Sequence, residues 1–183
     1  MRRIGPHPLR IAVNFSPVQF RHGDLPNVLH RILLECGLSP QRLTVEITEG
    51  VLIDDFSRAS AILRKLKAMG LRIALDDFGT GYSSLSYLHS FPFDKIKIDR
   101  SFISSLESSA QSKNIVRAVL GLARTIGVPV LAEGVETETQ RALLEAEGCE
   151  EIQGYLIGRP MSAGAYAAVT GAIPPADRLA CAG

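Results

Sequence analysis

The sequence has almost no charge of one sign to spare: 20 Lys and Arg stand against 19 Asp and Glu in 183 residues, a formal charge of +1. That balance excludes the broad basic footprint that a DNA or RNA polymer or an anionic membrane surface would require. No apolar run is long enough to span a membrane. Residues 1–8 carry arginines but not the apolar stretch of a signal peptide. Cysteine is scarce. Cys36, Cys149 and Cys181 are widely spaced and form no Cys-x-x-Cys. They exclude a disulfide framework and a zinc ribbon, and they point to a reducing cytoplasm. Hydrophobic residues, by contrast, make up 46% of the chain. That suffices for one good core, in a chain too short for two ordinary domains. Composition also excludes disorder, except in a small polar tail opened by Ile173-Pro174-Pro175. The expected division is a leader over 1–8, one folded domain over 9–172 and a disordered tail over 173–183.

One pattern recurs. A short β-branched run ends in a polar residue, and a helical stretch follows. The runs cover 9–14 (LRIAVN), 43–49 (LTVEITE), 71–77 (LRIALDD), 95–99 (KIKID), 128–133 (VPVLAE) and 151–153 (EIQ). Helices are predicted over 25–36, 54–69, 112–126 and 136–147, each followed by a glycine that can stop it. Strands alternating with helices predict a parallel sheet with right-handed crossovers. The strand ends Asn14, Glu46, Asp76, Lys97, Glu133 and Gln153 recur on average every 28 residues or so, an ordinary βα spacing. A doubly wound sheet concentrates its site at one switch point, whereas here every strand end carries a functional group. The reading is therefore α/β, an incomplete TIM-type barrel with about six of its eight strands.

Alternation puts Thr44, Glu46 and Thr48 on one strand face, and Lys95, Lys97 and Asp99 on another. Of Asp76 and Asp77, one faces inward while its neighbour lies on the lip. Collecting Asn14, Glu46, Asp76, Asp77, Glu133 and Gln153 at one rim makes an all-oxygen donor set suited to Mg²⁺ or Mn²⁺. Carboxylates at that density raise one another's pKa or demand cations. Two such ions would clamp a phosphodiester and activate a water, with a lysine to orient it. Asp54, Asp55 and Glu138 read as caps and surface charges. Glu136 reads equally well as a first-turn helix charge or a site residue. Cys36, among apolar neighbours, reads as buried filler. The stretch Phe78-Gly79-Thr80-Gly81 lacks the Gly-Lys-Ser/Thr of a phosphate-binding loop, and Ser84 occupies the third-glycine position of a dinucleotide fingerprint. It reads as a gating loop beside a metal site.

Asp76-Asp77-Phe78-Gly79-Thr80-Gly81-Tyr82-Ser83-Ser84-Leu85 closely resembles the central motif of EAL domains, the cyclic-di-GMP phosphodiesterases of bacterial signalling. Further matches follow in the family's order: Val13-Asn14-Phe15-Ser16, Glu46-Ile47-Thr48-Glu49, Lys97-Ile98-Asp99-Arg100-Ser101-Phe102, Ala132-Glu133-Gly134-Val135-Glu136-Thr137 and Gln153-Gly154-Tyr155. The resemblance implies that Asn14, Glu46 and Asp76 are metal ligands and that Asp77 binds the second metal and the nucleophilic water. It makes Lys97 the lysine near that water and Glu133 a metal ligand or general base. Glu49 would anchor the loop from Phe78 onward, and Glu136 and Gln153 would line the site. The implied reaction is hydrolysis of cyclic di-GMP to the linear dinucleotide with two Mg²⁺ or Mn²⁺ ions. A homodimer through the loop after Asp77 and its neighbouring helix is implied as well.

The Glu-Ala-Leu triplet that gives the family its name does not occur in the 183 residues, nor does the arginine that follows it. The chain resembles the C-terminal three-quarters of an EAL domain. Loss of that metal-ligating glutamate predicts weaker metal binding and a rate lower by orders of magnitude. Two missing strands predict bare edges and a chain that is poorly stable alone or associates. The expectations are therefore an impaired phosphodiesterase, a non-catalytic cyclic-di-GMP-binding or interaction module, or a gene fragment or a start codon assigned too late.

Overall fold

Six runs rich in Ile, Val and Leu form six parallel strands: β1 (Ile11–Phe15), β2 (Leu43–Thr48), β3 (Arg72–Phe78), β4 (Lys95–Ile98), β5 (Val130–Ala132) and β6 (Glu151–Ile152). The computed structural model describes residues 9–21, 24–80, 88, 91, 93–162 and 164–166. The expected leader and tail, and Gly81, lie outside the described residues. The strands pair in the order β1-β2-β3-β4-β5-β6, every pair parallel. This order decides between the two α/β architectures. A doubly wound sheet reverses its strand order at a switch point. A monotonic order with right-handed crossovers stacks all helices on one face, as in a barrel wall. Among the described residues the wall is an open arc, with β1 and β6 at its two ends.

The two faces of the arc differ in chemistry. Val45, Ile47, Ile73, Leu75, Ile96 and Ile98 point outward beneath the helices and are at most 1% exposed. Their partners in alternation, among them Thr44, Glu46, Thr48 and Lys97, point into the concave side. The helices are α1 (Pro17–Arg21), α2 (Leu25–Cys36), α3 (Glu49–Asp54), α4 (Phe56–Ala68), α5 (Arg100–Ser104), α6 (Ala110–Ile126) and α7 (Glu138–Ala146). Gly37 and Gly127 stop α2 and α6 in the left-handed conformation that glycine adopts without strain.

Three expectations change. The second strand ends at Thr48, and Glu49 opens α3. The helix predicted from residue 54 starts at Phe56, because the Asp55 side chain caps it by accepting from the Arg58 amide at 3.0 Å. Cys36 is exposed and not buried filler. The buried stripe of α2 steps by four through Leu25, Leu29 and Leu33, and its next member is Gly37, so Cys36 falls off the stripe.

Candidate active site

The concave face of the arc is an open trough of about 860 Å³, lined among others by Thr44, Glu46, Lys95, Gln153 and Tyr155. The acid cluster lies at the C-terminal ends of the strands, and of its members Glu46 also lines the trough. In-register pairing sets Asn14 beside Glu46 and Thr48 beside Asp76. Residues directly paired across parallel strands share a face, so Asn14, Glu46 and Asp76 all point to the concave side of the sheet. Lys97 enters from β4 and is 5% exposed. Its ammonium meets Glu46 Oε2 at 2.7 Å, Glu133 Oε1 at 2.8 Å and Asp76 Oδ1 at 3.0 Å. The Asn14 amide, oriented by the acceptors around it, donates through Nδ2 to Asp76 Oδ2 at 3.0 Å and Glu46 Oε2 at 3.3 Å.

Adjacent strand residues ordinarily point to opposite faces, yet both Asp76 and Asp77 serve the rim. The register between β3 and β4 slips between Leu75 and Phe78, and Asp77 takes a left-handed backbone, φ 53°. This bulge turns Asp77 back toward the mouth instead of onto the helix-covered face. One carboxylate oxygen from each of Asp76, Asp77 and Glu133 then lies within 4.8 Å of the others. The sequence reading had placed only one aspartate inward. Alternation gives no warning of a bulge.

Charge at the mouth is incompletely balanced, since one ammonium faces three carboxylates. Burial disfavours the Lys97 ammonium, but hydrogen bonds to Glu133, Glu46 and Asp76 outweigh it and hold its pKa well above the ordinary lysine value. Glu133 is pushed up by burial and by its neighbours Asp76 and Glu46, despite Lys97. Asp77 is pushed up by burial, then by the charges of Asp76 and Asp99. An all-oxygen set with carboxyls forced upward in pKa fits hard divalent cations.

The loop side is anchored from α3. Glu49 is 7% exposed, and its Oε1 accepts the Gly79 amide at 2.8 Å. Its Oε2 has no hydrogen-bond partner among the described residues. Thr80 folds back, its hydroxyl donating to the Asp77 carbonyl at 2.8 Å. Phe78 belongs to the core, 4% exposed, and does not line the trough. Glu136 is exposed one residue ahead of the Thr137 cap of α7, so it is not a first-turn helix charge, and its backbone amide donates to the Gln140 side chain at 2.8 Å. Gln153 lines the trough.

Two glycines fix the wall behind Glu133. A Cβ on Gly134 would stand 2.5 Å from Arg100 Cβ, and one on Gly154 would stand 2.1 Å from the Val135 carbonyl oxygen. These close approaches seat β5 and the chain after β6 against their neighbours.

Two groups at the site had not been singled out from the sequence. After burial and Asp76, the charge of Asp99 raises the pKa of the Asp77 carboxyl, and the Asp99 side chain caps α5 by accepting from the Ser101 amide at 3.0 Å. Its alternation with Lys97 was the available signal. Arg159 lies over the Tyr155 ring, 4.5 Å from its centroid, at the trough wall. Nothing in the spacing of that segment announces the pair.

Residues 1–160 match the EAL domain family. An uncharacterized signaling protein of Caulobacter vibrioides is 59% identical over 153 residues, 84% of this chain and 19% of the relative. The chain spans about a fifth of the length of the first curated relatives it matches. Among solved structures, the PaMucR phosphodiesterase in complex with c-di-GMP superimposes with a TM-score of 0.83 at 44% identity, covering 86% of this chain and 64% of that one. The Klebsiella pneumoniae BlrP1 manganese/cy-diGMP complex does so with a TM-score of 0.77 at 36% identity, covering 86% and 40%. The family match over most of the chain and the shared fold agree, and the chain belongs to the EAL domain family.

Proposed function

We propose that the chain is a cyclic-di-GMP phosphodiesterase module that opens one phosphodiester of cyclic di-GMP to give linear pGpG. The observation that carries this reading is the meeting of Glu46, Asp76 and Glu133 on Lys97 at 2.7–3.0 Å, with Asp77 turned to the same mouth. Asn14, Glu46, Asp76, Asp77 and Glu133 are the residues that would hold Mg²⁺ or Mn²⁺. When bound, such ions neutralise the phosphate and lower the pKa of a coordinated water. Glu133, whose carboxyl is pushed toward neutrality, is suited to take the proton of the attacking water. Lys97 is suited to stabilise charge at the phosphate from inside the cluster. Glu49 holds the turn that carries Gly79, which keeps the backbone after Asp77 in place. Gln153 and Glu136 are assigned to the substrate side of the mouth.

No helix among the described residues is long and apolar enough to cross a membrane. We assign the module to the cytoplasm and expect it to work as a homodimer. The purified chain incubated with Mn²⁺ and cyclic di-GMP should release pGpG, separable by ion-pair chromatography. Absence of product at high enzyme concentration overturns catalysis. A second reading is favoured by one observation, the engagement of Glu46, Asp76 and Glu133 by the Lys97 ammonium: a module that binds cyclic di-GMP without turnover, seen as calorimetric binding with no product.

A further inference from the structure

The acceptors that a divalent cation needs are already engaged. Lys97 Nζ occupies one oxygen each of Glu46, Asp76 and Glu133, at 2.7, 3.0 and 2.8 Å. The Asn14 Nδ2 takes the second oxygen of Asp76 at 3.0 Å and shares Glu46 Oε2 at 3.3 Å. Asp77 faces the same mouth, with a carboxylate oxygen within 4.8 Å of one from Asp76 and one from Glu133. Three carboxylates at such distances could not pack beside one another unless a positive charge lay between them.

We infer that Lys97 is a built-in counter-ion that, with Asn14 as a neutral second donor, assembles the acid cluster without metal, and that divalent cations load by taking the carboxylates of Glu46, Asp76 and Glu133 away from these two donors. This makes Lys97 a positioning residue for the folded site as well as a neighbour of the chemistry. It also gives Asn14 two orientations: nitrogen inward against bare carboxylates, oxygen inward toward a cation. An amide can serve both, because a half-turn about its last torsion exchanges donor for acceptor. An aspartate at position 14 could serve only the second.

The inference rests on the cation-binding part of the proposed function but not on turnover, so it is tested by melting and metal titration with no nucleotide present. In EDTA, Lys97→Met should melt roughly 5–10 °C below the parent chain, since it leaves three crowded, partly buried carboxylates without a counter-charge. Mn²⁺ should recover most of that loss, and by more degrees than it adds to the parent. Adding Glu46→Gln to Lys97→Met should raise the melting temperature in EDTA, whereas Glu46→Gln alone should lower it. Asn14→Asp should lower melting in EDTA and tighten Mn²⁺ binding. Equal melting of Lys97→Met and the parent in EDTA would overturn the inference. So would a Glu46→Gln effect of the same sign in both backgrounds. If Lys97→Met does not fold in EDTA, the decision passes to the double variant: folding restored by Glu46→Gln or by Mn²⁺ upholds the counter-ion, and failure of both rejects it.

Discussion

The Gly79 amide donates to Glu49 Oε1 at 2.8 Å, joining the turn after the paired aspartates to the first residue of α3, thirty positions earlier. Glu49 is buried, so its carboxylate is spent on this contact instead of on water. A buried acid with a backbone partner distant in sequence is a positional device: it sets where the chain leaves β3. Gly79 meets it at φ +96°, where an added Cβ would come within 3.1 Å of the Phe102 ring.

Replacing Glu49 by Ala leaves the half-buried Gly79 amide unpaired, which costs about 1–3 kcal/mol. The chain should melt several degrees lower, and pGpG formation should fall more than tenfold as Asp77 loses its fixed backbone. Glu49→Gln keeps a carbonyl acceptor and should lie between the two. Side-by-side melting curves and product assays check the order. Equal activity in all three chains would remove Glu49 from any positioning role.

Gly134 separates Glu133 from Val135 at φ +72°, with Arg100 Cβ where its own Cβ would be. Gly134→Ala therefore combines a left-handed strain with a collision, and should destabilise by roughly 2–4 kcal/mol while displacing Glu133. Arg100→Gly removes the colliding carbon but not the strain, so the double variant should regain only part of the stability. Chemical denaturation of the four chains measures the coupling. Additive losses would mean that the two positions do not press on each other.

At Gly154 the obstacle is backbone. An added Cβ would lie 2.1 Å from the Val135 oxygen and 2.3 Å from its nitrogen. No rotamer change can relieve that contact, so Gly154→Ala should be worse than Gly134→Ala and should yield little soluble folded protein. Expression followed by a melting curve tests it. A variant as stable as the parent would show that β6 and the segment after it can shift freely.

The sequence carried the framework of this site because framework and pattern share a period. Each run of β-branched residues alternates, so Thr44, Glu46 and Thr48 could be assigned to one face with no structure, and glycine stops placed the ends of α2 and α6. Relationships that break the period were not legible. The bulge at Asp76 and Asp77 inserts a residue that alternation cannot foresee. The two-way use of Asn14 depends on which acceptors surround it. Helices α1, α3 and α5 are five or six residues long, too short for a hydrophobic stripe to repeat, so Glu49 read as the end of a strand. Asp99 was seen to share a face with Lys97, yet its effect on Asp77 follows from the bulge and became visible only with it.

That bulge yields a prediction in which stability and catalysis part company. Asp77 holds φ 53°, and its carboxyl is pushed up by burial and by the charges of Asp76 and Asp99. Asparagine tolerates the left-handed region at least as well as aspartate and carries no charge. In EDTA at pH 7, Asp77→Asn should therefore be more stable than the parent by about 0.5–2 kcal/mol, while pGpG formation falls to background. The pH dependence identifies the cause. A carboxyl whose pKa is higher folded than unfolded binds more protons in the native state. Stability then falls as pH rises from the ordinary aspartate value of 3.8 through the raised one. The gain from Asp77→Asn should accordingly be small below that window, grow through it and level off above it. Asp99 acts oppositely, because its pKa is lowered: burial pushes it up, but hydrogen bonds from Ser101 and the Arg100 backbone prevail. Its contribution is lost only as pH drops below the ordinary value, outside the window that Asp77 controls. Melting curves of the two chains from pH 3.5 to 7.5 separate these effects. A gain constant across that range would assign the improvement to the relaxed backbone alone and leave the crowded charges at the mouth without energetic consequence.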